Sequence, residues 1–114
     1  MSGITTHVLD LALGRPAGGV AVRLEQHSPA KGWVVLADKR TDADGRVPDL
    51  LAAESKLAAG RYRISFGTGE YFSGRGQACF HPEVTVAFEI DDPAQHYHVP
   101  LLVSPYGYST YRGS

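Results

Sequence analysis

At 114 residues the chain is long enough for one compact domain with a core and too short for two, so a single domain over residues 1–114 is expected. Charged residues make up 20% and the net charge is -1, with no basic run and no acidic tail, so neither nucleic acid nor a membrane surface is indicated and a small ligand remains open. The single cysteine, Cys79, excludes an internal disulfide framework, cannot build a metal site alone, and reads as a small buried apolar residue.

The opening "MSGITTHVLD" has no basic segment followed by a long apolar stretch, and no apolar run approaches a membrane span; a soluble cytoplasmic protein is expected. "ITTHVLDL" is the first strand candidate, its parity grouping His7 with Leu9 and Leu11. "GRPAGG" punctuates the chain before "VAVRLEQ", where Val20, Val22 and Leu24 share one face of a half-buried strand. "GWVVLADKR" is another strand candidate, and "TDADGRVPDL" reads as a turn in which Gly45 supplies a permissive backbone with Arg46 directly after it. "LLAAESKLAAG" is rich in helix formers ahead of a glycine, so propensity places a short helix over 50–59. "RYRISF" alternates again, with Tyr62, Ile64 and Phe66 on one face. "GEYFSGRGQ" holds at most a turn of helix, weakened by Gly69, Gly74 and Gly76. "EVTVAFEI" sets Val84, Val86, Phe88 and Ile90 on one face, and "HYHVPLLV" and the tail complete the set. About seven or eight short strands in this length argue for an antiparallel β-sandwich, an all-β class.

The tail is tied down by local turn chemistry. "SPYG" puts Ser104, Pro105 and Gly107 at the preferred first, second and fourth positions of a type I turn. Antiparallel partners keep a constant index sum, so Ser104 opposite Gly107 sets Leu102 opposite Ser109, Pro100 opposite Tyr111 and His98 opposite Gly113. Tyr97, Val99, Leu101 and Val103 then face inward, which leaves His96, His98, Pro100 and Leu102 outside with Tyr111 and Gly113. An outward His7 extends this apolar, histidine-lined patch, the kind of surface that marks a ligand or partner site. The same parity sends Arg112 to the interior side opposite Val99, which requires that end of the sandwich to be open to water.

Imidazole accepts and donates protons near neutrality, so His7 and His98 are the candidate acid–base pair. His96 and His98 form an H-x-H that with His7 would give three zinc ligands, but no acidic or thiol ligand is placed beside them. Arg46 alone reads as a solvated turn residue; beside a histidine pair it suits a planar, anionic or carbonyl-rich ligand. Ser109 and Ser114 lie in no G-x-S-x-G elbow, which gives a serine nucleophile little support. His27, His81 and Trp33 read as loop and strand residues without chemistry.

The segments "THVLDLALGRPAGGVAVRL", "TDADGRVPDL", "GRYRISF", "FHPEVTVAFEI" and "HYHVPLLVSPYGYSTYRGS" resemble the transthyretin-like 5-hydroxyisourate hydrolases of urate breakdown, and the terminal Y-R-G-S is the mark separating that family from the hormone carrier of the same fold. The resemblance implies a transthyretin-type sandwich of two four-stranded sheets with one short helix where this chain has "GEYFSGRGQACF", and a loop where propensity puts a helix at "LLAAESKLAAG". It implies a homotetramer with active sites at the dimer–dimer interface. The implied reaction is hydrolysis of 5-hydroxyisourate to 2-oxo-4-hydroxy-4-carboxy-5-ureidoimidazoline without metal or organic cofactor. Carried over by residue, the site is His7, Arg46 and His98 with Tyr111, Arg112, Gly113 and Ser114. Of these, His7, His98 and Arg46 are expected to act on water and carbonyl, with Ser114 also placed among the catalytic groups; Tyr111 and Ser114 would hold the planar substrate. A non-catalytic transthyretin-like carrier of a small aromatic ligand is the alternative, and a plain sandwich interaction module a third.

Overall fold

The computed structural model describes residues 3–51 and 56–113. Eight strands and one short helix follow in chain order: β1 Ile4–Asp10, β2 Arg15–Pro16, β3 Ala21–Ser28, β4 Gly32–Arg40, β5 Gly60–Phe66, α1 Thr68–Ser73, β6 Val84–Ile90, β7 Tyr97–Ser104 and β8 Gly107–Thr110. They form two four-stranded sheets, ordered β2-β1-β7-β8 and β4-β3-β5-β6. This is the expected all-β sandwich.

The alternating strands deliver the core. Val22, Leu24, Tyr62, Ile64 and Phe66 from one sheet meet Ile4, Val8, Leu101 and Val103 from the other, all essentially excluded from water. Each such side chain contributes about 1.5–3 kcal/mol of hydrophobic stabilisation relative to exposure. Along β6 the ends are buried and Val86 and Phe88 only half-buried. Here the sheets part, leaving a cleft of about 320 Å³ lined in part by Val86, Phe88, Tyr97 and Val99.

The hairpin count is met at every pair of the β7–β8 ladder, from Ser104↔Gly107 to Leu101↔Thr110, and again at the isolated bridge His98↔Gly113. No non-glycine residue described has a positive φ, so Pro105 and Tyr106 conform to a type I turn and exclude the primed types. Between Thr110 and Gly113 the ladder lapses, and Pro100 explains why. Gly113 N donates to His98 O, so residues of that parity face β8, and Pro100 is one of them. With no N–H it cannot bond back to Tyr111. Instead the Thr110 hydroxyl donates to Pro100 O at 2.8 Å.

Two elements differ from the sequence reading. β1 pairs with β7 in parallel, Ile4↔Tyr97 through Asp10↔Val103, so the sandwich is not wholly antiparallel. These strands lie at opposite ends of the sequence and need no tight turn, which frees them to run alongside one another. β2, expected only as punctuation, pairs Leu9↔Pro16 and Asp10↔Arg15 and closes the edge of its sheet. Of the helix expected over 50–59, residues 50–51 and 56–59 are not helical, and the remainder lies outside the described residues. The weakened turn at "GEYFS" does form α1, held by a buried Phe72 and by the Tyr71 hydroxyl, which donates to Asp10 Oδ2 at 2.7 Å. Asp10 Oδ1 accepts from the Ala12 and Leu13 amides, so one buried carboxylate ties the end of β1 to the helix. Burial and then that hydrogen bond push the Tyr71 phenol up to about 12.

Candidate active site

The outward face of β1 and β7 is built by register. In the parallel pair Thr5 lies beside His98, His7 beside Pro100 and Leu9 beside Leu102. These residues share the parity opposite to the buried Ile4, Thr6, Val8 and Asp10. His7 and His98 are therefore diagonal neighbours on one surface.

Arg46 joins them through the turn over 42–46. Asp42 Oδ1 accepts from the Asp44 and Arg46 amides at 2.9 and 3.0 Å, an Asx turn closed by Arg46 O accepting from Asp42 N at 2.7 Å. Gly45 has a φ of 74°, and its carbonyl accepts from Val8 N at 2.8 Å. A Cβ at this position would collide with Val8 O, so glycine is required both for the turn and for its close approach to β1. The result is a bridge pairing His7 with Arg46 directly. His7 Nε2 lies 2.8 Å from Asp44 O. A carbonyl only accepts, so Nε2 carries a proton, and in the neutral ring the lone pair is then on Nδ1.

His98 is clamped on both edges of its ring. Nδ1 lies 2.7 Å from Thr5 Oγ1. On the other edge, a Cβ at Gly113 would come within 2.5 Å of Cδ2, so only glycine lets the tail pass this close. Burial, followed by the charges of Arg46, His7 and His96, holds the His98 imidazole below its ordinary value. His98 is therefore neutral at pH 7, the state a general base needs.

The structure thus brings together His7, Arg46, His98 and Gly113. Tyr111 and Arg112 take a different place: both line the inter-sheet cleft, and Tyr111 is 59% exposed. Arg112 follows its inward parity and meets no conflict, because the sandwich edge is open there. Its guanidinium lies 4.3 Å from the centre of the Tyr97 ring and donates to Gln95 Oε1 and His96 O at 3.0 and 3.2 Å. Ser114 lies outside the described residues. Thr5 was missed by the sequence reading, although the two-residue spacing that groups His7 with Leu9 and Leu11 also includes it. His96 turns Nε2 to within 2.9 Å of Thr5 Oγ1, and among the described residues no group of three or more His, Cys, Asp or Glu side chains is arranged to hold a metal ion.

The set can activate water with a neutral imidazole and stabilise an oxyanion with a guanidinium. Arg46 is exposed and His7 and His98 are half-buried, and neither the 320 Å³ cleft nor a polar cleft of about 380 Å³ on the other sheet is lined by any of the three. No helix among the described residues is long and apolar enough to cross a membrane.

Comparison with known proteins points the same way. A family model described as HIUase/Transthyretin matches residues 4–113. A 5-hydroxyisourate hydrolase of Caulobacter vibrioides is 50% identical over 119 residues, covering 100% of both chains. Among solved structures, the 5-hydroxyisourate hydrolase of Klebsiella pneumoniae superposes with a TM-score of 0.84 at 38% identity, covering 97% of this chain and 98% of that one. A transthyretin from Sparus aurata superposes with a TM-score of 0.92 at 32% identity, covering 99% and 97%. Backbone shape is shared by both branches, so the side chains must tell them apart.

Proposed function

The chain belongs to the HIUase/Transthyretin family, and from that premise we infer that it hydrolyses 5-hydroxyisourate to 2-oxo-4-hydroxy-4-carboxy-5-ureidoimidazoline in urate degradation. The observation that carries this reading is the pairing of His7 with Arg46 beside a neutral His98 on one face. A carrier has no need of a proton-transfer group held below its ordinary pKa next to a guanidinium.

In the mechanism, His98 Nε2 takes a proton from water as the oxygen attacks a ring carbonyl. His7, fixed by Asp44 O, presents its Nδ1 lone pair to the same water and orients it. Arg46 binds the planar substrate and stabilises the oxyanion as charge develops. The C–N bond of the ring then breaks, and the departing nitrogen recovers the proton from His98. Gly113 gives the tail its approach to His98, and Ser114, the next residue, is assigned to hydrogen-bond the planar substrate.

We assign this face to contact with further copies in a homotetramer with active sites at the dimer–dimer interface. What supports this is the apolar surface around the histidines, where Leu11 is 53% exposed and Leu102 half-buried. A two-fold axis through the face would give each cleft residues from two chains.

Generating 5-hydroxyisourate from urate in a cuvette and following its ultraviolet absorbance tests the activity. The expected result is rapid loss of the signal with protein present. Decay at the buffer rate, with tight binding of an aromatic ligand, would favour the carrier.

A further inference from the structure

Thr5 stands between two imidazoles, its Oγ1 2.7 Å from Nδ1 of His98 and 2.9 Å from Nε2 of His96. A hydroxyl has one proton and two lone pairs, so donation to one ring goes with acceptance from the other. If Thr5 donates to His98, that ring carries its own proton at Nε2 and cannot act there as a base. If it donates to His96 and accepts from His98, Nε2 of His98 is left with a lone pair.

We propose that Thr5 is a positioning residue that holds His98 in the Nδ1–H form and joins it to His96 as a proton relay. The inference rests on the hydrolase reading above and deepens it at the same site. Three features favour this direction. The ring cannot turn over without losing Thr5 from one edge and meeting Gly113 on the other. Nε2 has no hydrogen-bond partner among the described residues, so it is the nitrogen that meets a ligand. The nearby positive charge of Arg46 favours a ring form that presents a lone pair over one that presents an N–H.

The relay is balanced in protons. As Nε2 of His98 takes a proton from the attacking water, the Nδ1 proton passes to Thr5 Oγ1 and the hydroxyl's own proton passes to Nε2 of His96. An O–H bond of water breaks, the hydroxyl is regenerated, and the positive charge ends on His96. Reversal returns a proton through His98 to the nitrogen released when the substrate C–N bond breaks. His98 sits level with Thr5, and Arg46 level with His7, so His96 lies a further step along the strand from the guanidinium. Among the described residues, Arg46, His7 and His96 are the charged or titratable groups acting on His98, and the relay moves charge away from the first two.

The test uses the full chain with uniformly 15N-labelled histidine. Long-range 1H–15N spectra report which ring nitrogen is protonated and need no substrate. Wild type and Thr5→Ser should show His98 protonated at Nδ1, and Thr5→Val, which keeps the shape and loses the hydroxyl, should shift it toward Nε2. On 5-hydroxyisourate, Thr5→Val should lower kcat about tenfold to a hundredfold with KM unchanged, the low end of general-base effects, and Thr5→Ser should restore it to within about threefold. His96→Gln keeps an acceptor for the hydroxyl but cannot take the proton, so it should leave the His98 tautomer in place and lower kcat about tenfold. A Thr5→Val protein with the wild-type tautomer and kcat overturns the proposal, and full turnover in His96→Gln overturns the relay. An Nδ1–H His98 in a wild-type protein inert toward 5-hydroxyisourate would overturn the hydrolase reading and leave Thr5's hold on the ring standing.

Discussion

Arg46 has two effects on the same neighbour. In the proposed mechanism it supplies a guanidinium for the oxyanion, and its charge helps keep His98 neutral after burial has made the larger contribution. Protonation of His98 removes the base, so kcat/KM should fall on the acid side only below the ordinary histidine value of about 6.5. The folded-state value is depressed, so the stability His98 contributes is whole above the unfolded value and is lost as pH falls through the folded one. Replacing Arg46 by Gln should lower kcat/KM by about 10²–10³, the range for a lost oxyanion donor. It should also move the acid limb upward, because a cation that opposed protonation has gone. A pH–rate profile reads both effects, and an unmoved acid limb would show that Arg46 does not act on His98. Arg46 and His98 were legible as residue types, but their pairing was not. Arg46 follows a turn whose Asx geometry is local, whereas its place beside His7 depends on a carbonyl contact from Gly45 to Val8.

At the scale of elements, the turn over 42–46 and the β7–β8 hairpin bring loop and tail onto β1 and β7. Gly45 is the tighter constraint, since it needs both a positive φ and room against β1. Gly45→Ala should cost about 1–3 kcal/mol of stability through backbone strain, read from the denaturant midpoint. Turnover should fall further than stability alone explains, because the shifted turn takes Arg46 away from His7. A variant with wild-type kcat would show that the turn does not place the arginine. The hairpin was readable from "SPYG" because its register follows from the turn. Its lapse at Tyr111 and Arg112 was not read, although Pro100 was in view. The lapse matters only once the ladder partner of Pro100 is known to lie on its N–H side, a fact about strand direction that composition does not hold.

The whole molecule is a sandwich that carries its candidate site on the outward face of β1 and β7. Light scattering on the purified protein should give four times the single-chain mass, and dilution that yields monomers should lose turnover along with the tetramer. Monomers as active per chain as the assembly would remove the dimer–dimer interface from the site. Alternating apolar residues, turn dipeptides and the Y-R-G-S ending determined the sandwich, its strand faces, the hairpin register and the family resemblance, since each depends on neighbours within a few positions. Tertiary structure alone decided that β1 runs parallel to β7, that Thr5 therefore stands between His96 and His98, and that Arg112 lies over Tyr97 at an open edge. Those placements follow from pairing between the two ends of the chain, where no local preference specifies which strand lies beside which or in which direction.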